Sequence, residues 1–291
     1  MRIRLMVEGQ EGVTWEQWLA LADATERAGL DGLFRSDHYG SVMGIPGRDC
    51  LDAWTTLAAL AARTERIRLG TLLTPLPWRR PWKVASQVAT VDQLSGGRAI
   101  LAVGVGAVDT GLPSTGEETD KRLRAIRMDE AIDLVRTLWD GGLSYHGQFY
   151  DFECDNDDLI RGGRPVSARI PIWVVGVWPR PKSMRRVLRC DGIIPQYDLG
   201  GRDAGPDDAR AIREWLDEHG ARPGLDIVAE GETPADDKAA AAAHVTAWAR
   251  AGCTWWIENR WLMPEGSTDP MAVVGERLAA GPPVAAGPKA P

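Results

Sequence analysis

Four histidines are the whole supply of imidazole in this 291-residue chain: His38, His146, His219 and His244. Imidazole is the side chain whose unperturbed charge changes near neutral pH, so acid–base chemistry has few candidates. His38 stands apart from the other three. It sits in Arg35-Ser36-Asp37-His38-Tyr39-Gly40, directly after the short apolar run Gly32 to Arg35. A histidine at a strand end, beside an acid and a hydroxyl, can donate or accept a proton next to a bound ligand while its neighbours orient it. The same residues equally describe a structural histidine held by a backbone carbonyl. His146 lies in the aromatic stretch YHGQFYDF, and His219 and His244 fall in helical patterns, where packing or solvent explains them.

Three further segments could meet a ligand. Gly104-Val105-Gly106-Ala107-Val108-Asp109 begins like a dinucleotide fingerprint, but Asp109 stands where the third glycine belongs. That rejects a Rossmann NAD site and leaves a loop whose backbone can lie against a flat ligand. Gly176-Val177-Trp178-Pro179-Arg180-Pro181-Lys182-Ser183 runs into a helix. Free N–H groups there favour an anion, and Arg180, Lys182 and Ser183 add charge and a hydroxyl; a solvated basic turn fits as well. Gly70 to Trp78 carries Pro75 and Pro77, the mark of a stiff extended exit.

Other chemistries lack a signal. No His/Asp/Glu set has metal-ligand spacing, and H-E-x-x-H, G-x-S-x-G and a Walker loop are missing from the sequence, so a hydrolase or kinase has no support. Cys50, Cys154, Cys190 and Cys253 are far apart with no C-x-x-C, which argues against a thiolate zinc site or a disulfide framework and is consistent with cytosol. A net charge of -7 does not suit nucleic acid. No run reaches the ~20 apolar residues of a membrane span. The opening MRIRLMVEG reads as a strand rather than a signal peptide.

The elements that must position these residues alternate along the chain. Strand patterns fall at Arg2 to Val7, Gly32 to Arg35, Arg66 to Leu73, Ala99 to Val105, Ile172 to Val177, Gly192 to Pro195, Leu225 to Ala229 and Thr254 to Glu258. Helical patterns separate them; the first, Thr14 to Ala28, opens on Thr14 with Gln17 as a capping-box partner. Eight strand–helix units in this length predict a (β/α)8 TIM barrel, residues 1–280, with an insertion around residues 141–170 and a flexible Gly/Pro/Ala tail at 281–291. A doubly wound sheet is the rival architecture. Only the barrel gathers chemistry at the C-terminal ends of all eight strands. The thirteen tryptophans are expected mostly in packing, with a few lining an aromatic pocket.

Several segments together resemble the luciferase-like monooxygenase superfamily of flavin- and deazaflavin-dependent oxidoreductases: EGQEGVTW (8–15), GLFRSDHY (32–39), DAWTTLAALAARTERIRLGT (52–71), ATVDQLSGGRAILAVGVG (89–106), RMDEAIDLVRTLW (127–139) and IPIWVVGVWP (170–179). The resemblance is densest from residue 50 to 106. It implies a homodimeric barrel with a cofactor ring over the strand C-termini and a small organic substrate. It implies that Asp37 contacts the cofactor and that His38 is the acid–base residue. A non-proline cis peptide maps onto Leu72-Leu73, beside the ring. Gly104, Val105 and Gly106 pass near the ring, and Gly176, Arg180, Lys182 and Ser183 hold the phosphate. EGQEGVTW and RSDHY look like members using the deazaflavin F420, whereas PLPWRRPWK looks like flavin-dependent members. FMN members often carry a phosphate-binding arginine after the fourth strand, and residues 104–120 contain none, which favours F420 over FMN. The expected activity is hydride transfer or monooxygenation; a non-catalytic flavin-binding barrel is the alternative.

Overall fold

The computed structural model describes residues 1–7, 12–38, 50–108, 116–154, 164–260 and 269–283. The EGQEG loop (apart from Gly12), Tyr39, Asp109 and most of the expected tail lie outside the described residues.

Eight parallel positions close a barrel. The strands are β1 (Arg2–Val7), β2 (Gly32–Arg35), β3 (Arg68–Thr71) continued by the two-residue β4 (Thr74–Pro75), β5 (Ala99–Gly104), β8 (Ile172–Trp178), β9 (Gly192–Tyr197), β10 (Asp226–Gly231) and β11 (Trp255–Arg260). They pair in the order β3-β2-β1-β11-β10-β9-β8-β5, and β3 pairing with β5 closes the ring. This is the (β/α)8 architecture read from the sequence. The remaining strands, β6 (Ser144–His146) and β7 (Asp151–Glu153), form an antiparallel hairpin outside the barrel, within the expected insertion. Glu130 holds that hairpin by accepting the backbone N–H groups of Gln148 and Phe149, both at 2.9 Å.

Helices α1 (Trp15–Arg27), α2 (Ala53–Ala61), α3 (Pro81–Ser95), α4 (Lys121–Trp139), α5 (Pro181–Val187), α6 (Pro206–Glu218), α7 (Lys238–Arg250) and α8 (Pro270–Ala280) surround the strands. Their starts are chemically determined. The Thr14 hydroxyl and the Gln17 side chain form the expected reciprocal capping box on α1, Asp52 caps α2 and Asp120 caps α4.

Because side chains alternate along a strand, each one feeds two cores. Ile3, Leu33, Leu69, Leu101, Val174 and Ile227 face the helices. Phe34, Ile100, Trp173, Ile194, Val228 and Ile257 fill the barrel. The same alternation puts Arg4 inside. It is fully buried, its guanidinium carbon 3.5 Å from the Trp255 ring centre and 4.1 Å from those of Phe34 and Trp173. Three aromatic faces thus replace water around a cation whose pKa burial lowers well below the ordinary arginine value. Trp173 fits beside this cation because its neighbour on β9 is glycine: a Cβ on Gly192 would lie 2.5 Å from the indole.

Candidate functional site

The interior above this aromatic layer opens at the C-terminal ends of the strands. Half-exposed Leu73, Val175 and Val177 and exposed Gln196 and Glu230 mark the mouth. Its β2–β5 side is built from the segments singled out in the sequence.

At the end of β2, Arg35 turns to the helix layer, donating to the Thr56 hydroxyl (2.9 Å) and the Leu51 carbonyl (2.7 Å), and so ties the strand to the start of α2. Asp37 follows, buried, and pairs with Arg79, while the Thr74 hydroxyl donates to its Oδ2 at 2.8 Å. Thr74 is itself fixed by the Trp54 indole N–H at 3.0 Å and lies 2.9 Å from the Thr71 hydroxyl. Burial pushes the Asp37 carboxyl above its ordinary range, against the pull of Arg79 and Thr74. Both Asp37 oxygens are engaged by the protein, and the residue braces the segment between β3 and β4.

The braced segment is Leu72-Leu73, whose peptide bond is cis, as the resemblance implied. Leu73 reaches over β5. A Cβ on Gly104 would lie 2.7 Å from the Leu73 side chain, so glycine there admits a leucine. Gly106, at φ +79°, does the same for Trp78, whose ring a Cβ would approach to 2.3 Å. Arg124 on α4 pins the loop from below by donating to the Val105 and Gly106 carbonyls at 2.8 and 2.7 Å, and the Val105 side chain packs in the helix layer. The result is an apolar shelf of Leu72, Leu73 and Trp78 on one wall of the mouth. His38, half-buried, stands beside it on the adjoining strand end; its carbonyl receives the Cys50 thiol at 3.7 Å, and burial keeps that thiol protonated by raising its pKa.

The segment after β8 is arranged differently from the sequence reading. Gly176 falls on the outward phase of the strand, where a Cβ would meet Ile193 at 2.7 Å and Val187 at 3.0 Å, a close-packing position under α5. Arg180 is engaged by Asp198 at 2.6 Å, and the Ser183 hydroxyl oxygen accepts the Val177 N–H at 2.8 Å. Lys182 is exposed and forms no ion pair among the described residues.

The sequence reading missed Thr74, Arg79 and Arg124, and on the opposite wall Gln196, Glu230 and Asn259. Its strands ended at Pro195, Ala229 and Glu258, one residue short of each of those three. A polar residue after an apolar run resembles the start of a loop, and only the closed barrel makes it a wall.

No helix among the described residues is long and apolar enough to cross a membrane. Comparison with known proteins gives the geometry a context. The chain is 32% identical over 242 residues to a putative coenzyme F420-dependent oxidoreductase of Mycobacterium tuberculosis, a match covering 77% of this chain and 64% of that protein. The chain thus spans less than two thirds of that relative. Among solved structures, an F420-dependent secondary alcohol dehydrogenase in complex with an F420-acetone adduct superposes with a TM-score of 0.69 at 17% identity, over 95% of this chain and 99% of the other. A monooxygenase of Streptomyces bottropensis superposes at 0.66 with 22% identity, over 96% and 99%. These two likenesses bear on the fold alone, but the family model for luciferase-like monooxygenases matches residues 2–278. With closed barrel, shelf and sequence match in agreement, the chain belongs to the luciferase-like monooxygenase family.

Proposed function

We propose that the protein is an F420-dependent oxidoreductase that exchanges a hydride with a small organic substrate at the C-terminal mouth of its barrel. The observation that carries this reading is the shelf. Half-exposed Leu73, backed by the almost fully buried Leu72 and Trp78, gives this wall its apolar character; glycines make room for it, and the Asp37–Arg79–Thr74 network braces it. A flat, largely apolar ring suits such a surface, because burying it displaces water without leaving polar groups unpaired.

When bound, the deazaflavin supplies two-electron hydride chemistry. The chain binds and orients. The braced shelf fixes the height and tilt of whatever lies on it, since its side chains are locked by packing and hydrogen bonds. His38, half-buried at the end of β2, holds or moves the proton that accompanies the hydride. Lys182 favours an anionic cofactor tail at the start of α5; with Arg180 and Ser183 engaged by the protein, it carries that role with the backbone. Residues 104–120 carry no arginine of the kind FMN members often use for the phosphate, and in this reading Arg124 serves the loop, its Nη1 holding two carbonyls. This keeps F420 ahead of FMN.

Turnover tests the reading. Purified protein is incubated with oxidised or reduced F420 and a panel of small alcohols, aldehydes and ketones, following the visible absorbance of the cofactor. Substrate-dependent bleaching or recovery supports the assignment. F420 bound without turnover, whatever the substrate, indicates a carrier. Turnover that needs oxygen and FMN indicates a monooxygenase.

A further inference from the structure

The wall facing the shelf has a feature that the scaffold does not use. Asn259 ends β11 on its inward phase, two residues beyond Ile257 and four beyond Trp255, both in the barrel interior. It is 6% exposed. Its Nδ2 donates to Oε2 of Glu230 at 3.3 Å, and its Oδ1, buried, has no hydrogen-bond partner among the described residues. Turning the amide over would only exchange which end is orphaned. A buried polar atom left unpaired costs about 1–3 kcal/mol, and this one, at a strand end beside an exposed carboxylate, is placed where a ligand can offset that cost.

Glu230 is the complement. It lies on the inward phase of β10, after Asp226 and Val228, and is exposed, yet its carboxyl is pushed above the ordinary glutamate range by desolvation. Exposure and desolvation together describe a side chain lining a concave mouth. Gln196 follows the same inward phase on the adjacent β9.

We infer that Glu230 and Asn259 form a polar subsite that accepts a hydrogen-bond-donating group, a hydroxyl or an amine, on the organic substrate, across the mouth from the Leu72-Leu73 shelf. The placement across from the shelf rests on the function proposed above; the subsite itself does not. Oδ1 of Asn259 accepts from the ligand, and Oε1 of Glu230, whose partner oxygen Oε2 takes the Asn259 amide, is the second acceptor. An apolar or ether group at the same place would leave Oδ1 orphaned, so the pair selects against it.

The test uses small isopropyl probes that differ in whether they carry a hydrogen-bond donor. Saturation-transfer NMR on the cofactor-free full chain measures binding of 2-propanol and isopropylamine against 2-methoxypropane. The donors are expected to bind about fivefold or more tighter than the ether, and Asn259→Leu and the exposed-site variant Glu230→Ala each to remove that preference. F420 affinity, read separately by fluorescence quenching, is expected to stay within about twofold in both variants, since neither residue belongs to the shelf. Equal binding of donors and ether to the wild type, no donor binding at all, or an unchanged preference in Glu230→Ala would overturn the subsite. Failure of wild-type protein to bind F420, with the donor preference intact, would instead sink the cofactor assignment and leave the subsite standing.

Discussion

The two walls of the barrel mouth use their polar residues in opposite ways. On the β2–β5 side, Asp37, Arg79, Thr74, Thr71 and Trp54 are linked to one another, and Nη1 of Arg124 holds the loop carbonyls, while its buried Nε has no partner among the described residues. On the β10–β11 side, Glu230 and Asn259 share one contact and leave an amide oxygen over. A wall cross-linked by five side chains is held in place and presents apolar surface; a wall with one internal contact keeps polar groups at the mouth for a ligand. The difference predicts that substitutions on the first wall are felt as lost stability and on the second as lost selectivity.

The strongest way to break that contrast is Asp37→Ala. It leaves the mostly buried Arg79 guanidinium without its carboxylate, and the expected loss is about 3–5 kcal/mol in urea unfolding. Replacing both partners by leucine should cost clearly less than the sum of the single changes, because no unpaired charge remains. Strict additivity would mean that the pair is not a unit.

Gly106→Ala should follow. A methyl at positive φ, driven against the Trp78 ring, is expected to cost roughly 1–3 kcal/mol through overpacking and to weaken F420 binding by disturbing the shelf. Wild-type stability and affinity together would show that the ring has room to move.

His38→Ala separates chemistry from scaffold. The expectation is a fall in turnover of at least about tenfold with a smaller change in cofactor affinity. Unchanged turnover from pH 6 to 8 at saturating cofactor (a range chosen around the ordinary imidazole pKa of about 6.5) would make His38 a packing residue.

The smallest effects sharpen the comparison through pH. Burial works upward on Asp52, but the N–H and hydroxyl of Thr55 and the Arg79 and Arg35 cations outweigh it and lower its pKa. Its contribution to stability is therefore present above the ordinary aspartate pKa and lost as pH falls through the depressed value. Glu230 has the opposite sign: raised by desolvation, it favours the folded state most below the ordinary glutamate pKa, and that contribution is lost as pH rises through the raised value. Stability differences between wild type and Asp52→Asn should grow from acid to neutral pH, and those for Glu230→Gln should move the other way. Parallel profiles would contradict the opposite shifts of these two carboxylates.

Much of this architecture was legible in the sequence, for a physical reason. Short apolar runs bounded by Gly and Pro and separated by capped helices specify eight strand–helix units, and the Thr14–Gln17 box formed as read. The cis Leu72-Leu73 peptide came through family resemblance, not from spacing. What escaped depends on closure. In RIRLMV, Arg2 and Arg4 share one face, which in an open sheet would meet water; in a barrel that face is the interior, and Arg4 ends among three aromatic rings. Gly176 read as ligand-facing because sequence shows that a glycine is present but not the phase of its strand. Glu230 and Asn259 escaped because polarity at a strand end looks like a loop until seven other strands surround it.

The central claim is that the apolar shelf holds a deazaflavin. Titration of the wild-type protein with F420 and, separately, with FMN, reading quenching of cofactor fluorescence, tests it most directly. The account predicts saturable F420 binding at least about tenfold tighter than FMN, a difference of about 1.4 kcal/mol, weakened in Gly106→Ala and unchanged in Asn259→Leu. FMN binding as tight as or tighter than F420, or F420 affinity that falls with Asn259→Leu and not with Gly106→Ala, would contradict it.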